Sequence, residues 1–79
     1  MKVLFFSSAA EIAGTREEEW KVQSSISLSE FWEEATRRHP GLQEIRDRCQ
    51  VANGMEVVFG SEVIDPKKET AILPPVSGG

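Results

Sequence analysis

The spacing of apolar positions changes along the chain, and each change marks an element. "KVLFFS", Lys2 to Ser7, is apolar on both parities: Val3 and Phe5 point one way, Leu4 and Phe6 the other. Its residues and length predict a strand, either covered on both faces or left with an apolar outer face. "SAAEIAGT" reads as the following turn, with Gly14 supplying conformational freedom. "REEEWKVQ", Arg16 to Gln23, is a second strand with Glu18, Trp20 and Val22 on one side, and its charge suits an edge.

In "SISLSEFWEEATRRHPGL" the period becomes helical, with Leu28, Phe31, Trp32 and Ala35 on one stripe. This stripe is the face that covers a sheet. Ser27 and Glu30 stand three apart, the spacing of a capping box. Glu33 and Glu34 precede Arg37 and Arg38 at the i,i+4 spacing that stabilises a helix. His39-Pro40-Gly41 ends it, because Pro40 disfavours helix at His39.

"LQEIRDR", Leu42 to Arg48, has room for two more helical turns, and "CQVAN" reads as a strand. Asn53-Gly54 is a hairpin signal from which "MEVVFG" returns. "SEVIDPKK" is loop with a short bridge, and "ETAILP", Glu69 to Pro74, is the last strand, ended by Pro74. The expected fold class is α+β: a mixed sheet of four to five strands with one main helix on one face. If Val3, Phe5 and Ile72 meet the helix, then Leu4, Phe6 and Leu73 look outward on a face nothing covers. An open apolar face of this kind marks a binding surface.

With 79 residues the chain is one domain, expected over residues 1–73, with an extended tail at 74–79. The formal net charge of −4 argues against nucleic acid, which needs a basic face, and against an anionic membrane surface. No apolar run approaches the length of a membrane span. The single cysteine, Cys49, forms no disulfide within the chain, which points to a reducing, cytoplasmic compartment and to a buried structural thiol. His39, the only histidine, reads as a cap or surface residue rather than a base. No Cys/His cluster suits a metal and no Gly-rich loop suits a phosphate.

The chemistry lies in the tail, "PPVSGG". Pro74 and Pro75 stiffen it and detach it from the sheet. With Val76, Ser77, Gly78 and Gly79 it reaches up to about 20 Å when extended, enough to enter a deep pocket. Gly78 and Gly79 have no side chains, so a narrow channel admits them. What they deliver is the carboxylate of Gly79. A carboxylate reacts only after activation, typically as an acyl-adenylate made from ATP. An amine or thiol then gives ubiquitin-like conjugation, and a sulfur donor gives a thiocarboxylate.

"KVLFF", "AEIAGT", "RHPGL" and "ILPPVSGG" together resemble the small subunits of molybdopterin synthases, β-grasp sulfur carriers, and the resemblance runs essentially end to end. It implies a ubiquitin-like β-grasp fold and a cycle in which an E1-like enzyme adenylates Gly79 with ATP. Sulfur is then installed as a thiocarboxylate. The tail would enter a large subunit and donate sulfur to cyclic pyranopterin monophosphate, building the molybdopterin dithiolene. The implied assembly is a heterotetramer whose large subunits hold most catalytic groups, with no permanently bound cofactor on this chain. Carried over by position, Gly79 bears the sulfur, Gly78 is its required neighbour, and Phe6 and Leu73 dock on the large subunit. Many bacterial members carry arginine where Ala10 stands, and Gly-Asp-Glu where this chain has Lys67-Lys68-Glu69. Carriers for tRNA thiolation, cysteine or thiamine synthesis, and a ubiquitin-like modifier, remain the alternatives.

Overall fold

The computed structural model describes residues 1–75, so Val76, Ser77, Gly78 and Gly79, on which most of the tail reading falls, lie outside the described residues. The chain runs β1 (Lys2–Phe5), α1 (Ser7–Ala13), β2 (Glu17–Glu19), β3 (Ile26–Ser27), α2 (Leu28–Arg38), β4 (Gln50–Asn53), β5 (Glu56–Val57), β6 (Val63–Ile64) and β7 (Thr70–Leu73). Two 3-10 helices, Pro40–Glu44 and Arg46–Arg48, take the place of the second helical stretch expected after Gly41.

Five strands form one mixed sheet in the order β2-β1-β7-β4-β5. β1 and β7 are parallel at its centre, and the other pairs are antiparallel. β3 and β6 form a separate two-stranded ladder, which is the bridge expected within "SEVIDPKK". The inward parity holds as read: Val3, Phe5 and Ile72 are buried with Val51 against Phe31, Trp32 and Ala35 of α2. Trp20 stacks on Phe31 at 5.1 Å between ring centroids, which fixes the helix over the sheet. This is the β-grasp arrangement.

α2 starts where its capping box requires. Ser27 Oγ accepts from the Glu30 amide, and Glu30 Oε1 accepts from the Ser27 amide. Glu34 pairs with both Arg37 and Arg38, so the pairing converges on one glutamate instead of forming two parallel i,i+4 pairs.

Several expectations are corrected. "SAAEIAGT" is not a turn but most of helix α1, closed by Gly14 at φ 73°, whose N–H bonds to the Ala10 carbonyl. Tertiary packing makes this helix: Ala9 is fully buried, and α1 lies against the 3-10 turn at Gly41. A Cβ at Gly41 would sit 2.9 Å from Ile12 Cγ2, so glycine permits the approach. β2 is shorter than Arg16–Gln23, although the Trp20 amide still donates to the Met1 carbonyl at 2.8 Å, in register with the β1–β2 ladder. The hairpin turn is Gly54-Met55, both at positive φ, rather than Asn53-Gly54. Asn53 is the last residue of β4, and its amide bonds Thr70 Oγ1 and both backbone groups of Asp65, tying the β6 segment to the sheet.

Candidate functional site

The outer face of the sheet is apolar across four strands. In register, Leu4 stands beside Ala71, Ala71 beside Ala52, and Ala52 beside Val57. All four are half-buried, as is Leu73, while Phe6 is 46% exposed. Since Phe5 is level with Ile72, Phe6 comes beside Leu73, the last residue of β7. Pro74 and Pro75 follow directly, outside any strand. The structure therefore brings together Leu4, Phe6, Leu73, Pro74 and Pro75, the site residues expected from sequence that fall within the described chain. Ala52 and Val57 extend the face and were missed, because their place in it depends on strand register.

Beside Phe6 lies an open groove of ≈ 670 Å³. Its lining includes Leu4 and Phe6 from the β1 side, Ala10 and Glu11 from α1, and Arg16 and Glu17 from the approach to β2. Ala10 presents only a methyl group to this groove. Lys2, at the opposite end of β1, is held between Glu17 and Glu69 at 3.7 and 3.5 Å.

Behind the face, His39 closes α2 and is only 16% exposed, so it is a cap but not a surface residue. Its Nε2 is 2.7 Å from Glu18 Oε2, and its ring meets Phe5 edge-on at 5.4 Å. Trp20 Nε1 donates to Glu18 Oε1 at 3.0 Å, and Arg38 lies 4.9 Å over the Trp20 ring. Burial opposes ionisation of Glu18. The hydrogen bonds from Trp20 and His39, with the His39 and Arg38 charges, overcome it and hold the carboxyl below its ordinary range.

Cys49 is half-buried beside the core, less enclosed than expected, and burial pushes its thiol up, partly offset by Arg48. A raised thiol is a poor nucleophile, in keeping with a structural role. Among the described residues no three His, Cys, Asp or Glu side chains cluster to hold a metal ion. No helix among them is long and apolar enough to cross a membrane.

Comparison with known proteins identifies the family and agrees with the fold. The model of the ThiS family matches residues 3–79. The molybdopterin synthase sulfur carrier subunit of Homo sapiens is 39% identical over 82 aligned residues, which cover all of this chain and 93% of the human one. The protein of the same name from Arabidopsis thaliana is 32% identical, covering all of this chain and 82% of its own. SAMP1, a small archaeal modifier protein from Haloferax volcanii, superposes with a TM-score of 0.82 at 26% identity, covering 100% of this chain and 98% of that one.

Proposed function

The chain belongs to the ThiS family, and from that premise we propose that it is the sulfur carrier subunit of a molybdopterin synthase. The observation that carries this reading is the 39% identity to the human sulfur carrier subunit along the whole of this chain. The placement of Pro74 and Pro75 beside an apolar docking face supports it.

In this reading an E1-like enzyme transfers AMP from ATP to the Gly79 carboxylate and releases pyrophosphate. A sulfur donor displaces AMP and leaves a thiocarboxylate. Phe6, Leu73 and Leu4 seat the domain on the large subunit, while Pro74, Pro75, Val76 and Ser77 lead Gly78 and Gly79 into its pocket. The thiocarboxylate sulfur attacks a side-chain carbon of the pterin precursor, cyclic pyranopterin monophosphate. A carbon–oxygen bond at that carbon breaks as the carbon–sulfur bond forms, and water then cleaves the acyl–sulfur bond to return the carboxylate. Two sulfurs per dithiolene require two carriers, which suits a heterotetramer of two large and two small subunits. The large subunit supplies most catalytic groups, and this chain acts as a carrier in the cytoplasm, with the thiocarboxylate as its modification and no resident cofactor.

The test is reconstitution. Thiocarboxylated carrier, large subunit and precursor should yield molybdopterin, with two carriers returned to the carboxylate form per pterin. Failure with an active large subunit would overturn the assignment. The likeness to SAMP1 favours a second reading, a protein modifier. That reading predicts Gly79 in isopeptide linkage to lysines instead.

A further inference from the structure

We propose that Ser7 is a positioning residue, whose left-handed backbone aims Phe6 at the partner. The inference rests on the docking reading above and adds to it the device that holds the docking residue.

Phe6 is fully extended, at φ −115° and ψ 152°, and Ser7 follows at φ 48°. One residue thus converts strand β1 into helix α1. The Phe6 carbonyl already accepts from the Ala9 and Ala10 amides at 2.9 and 3.4 Å, so the helix closes onto Phe6 itself. A positive φ brings Cβ against the backbone, a cost that glycine avoids and asparagine bears more easily than serine. Met55 is the other non-glycine residue at positive φ among the described residues, and it lies in a hairpin turn at the opposite end of the sheet.

The consequence falls on Phe6. Phe5 is 2% exposed and Phe6, one residue later, is 46% exposed. The sharp departure at Ser7 sends the chain into α1, and Phe6, left at the end of β1 next to Phe5, whose register partner is Ile72, lines the groove. A ring fixed in that position loses little freedom on docking, and such preorganisation strengthens binding. Strained non-glycine residues of this kind concentrate beside binding sites.

The test measures the dissociation constant for the large subunit, and the melting temperature, of the full-length chain and of the variants F6D, S7G and S7N. F6D should weaken binding, which checks the docking reading by itself. S7G relieves the strain, so its melting temperature should not fall. It frees the backbone, however, and should weaken binding about three- to tenfold, the effect of ordering one contact residue on association. S7N, which accepts the left-handed conformation, should restore binding to within about twofold of the unaltered chain. If F6D weakens binding but S7G binds as tightly as the unaltered chain, the positioning role is wrong and the docking face stands. S7N binding as weakly as S7G would also overturn it, by assigning the effect to the lost hydroxyl. Unchanged binding by F6D would overturn both readings together.

Discussion

His39 Nε2 lies 2.7 Å from Glu18 Oε2, joining the end of α2 to the edge strand β2 across 21 residues of chain. Arg38 reinforces the join by packing on Trp20 and by pairing with Glu18 at 4.0 Å. β2 is three residues long and pairs only with β1, so this tie does much to hold it.

The tie sets a pH dependence. Glu18 is held below its ordinary value of 4.5 in the folded chain. A carboxylate depressed by folding contributes stability that is fully present above its unfolded pKa and is lost as pH falls through the folded one. The melting temperature should therefore drop on acidification below about pH 4.5, and E18Q should flatten that drop while lowering the value at pH 7. Equal acid slopes for E18Q and the unaltered chain would contradict the tie.

Trp32 is 5% exposed and meets Phe31 edge-on at 5.7 Å. W32A should cost about 3–5 kcal/mol, measured by urea denaturation. An unchanged midpoint would contradict the register of α2.

Met55 occupies the second position of the hairpin turn at φ 72° and is 98% exposed, so its side chain gives nothing back for the backbone strain. M55G should stabilise the fold by about 1 kcal/mol. That corresponds to about 4–8 °C in a domain of this size, and a lower melting temperature would argue against the turn.

Phe6 and Leu73 each follow a member of the Phe5–Ile72 register pair, at the end of the sheet where Pro74 leaves it. F6D and L73D should each weaken large-subunit binding by about tenfold or more, by placing a charge in an apolar contact. Titration of the two variants should leave their melting temperatures close to that of the unaltered chain, since Phe6 is exposed and Leu73 only half-buried.

Features set by local spacing were readable in the sequence, and features set by tertiary contact were not. The alternation of Val3, Phe5 and Ile72 against Leu4, Phe6 and Leu73 gave both faces of the central strands, because side chains in a strand alternate. Ser27 and Glu30 gave the start of α2 because the capping box is a local motif. α1 was hidden, since a seven-residue helix depends on burying Ala9 and on the close approach at Gly41. The Glu18–His39 tie and the Ala52 and Val57 extension of the face depend on pairing between distant segments, which no local pattern encodes. The displacement of the hairpin turn follows from Asn53 being drawn into the core by Asp65 and Thr70.

The central claim is that Gly79 carries sulfur, and intact mass tests it most directly. The chain, with its native C-terminus, is incubated with the activating enzyme, ATP and a sulfur donor. The account predicts a gain equal to replacing one oxygen by sulfur, localised to Gly79, and no gain when Gly79 is deleted or followed by a tag. An unchanged mass, with the same enzyme active on a known carrier, would contradict it.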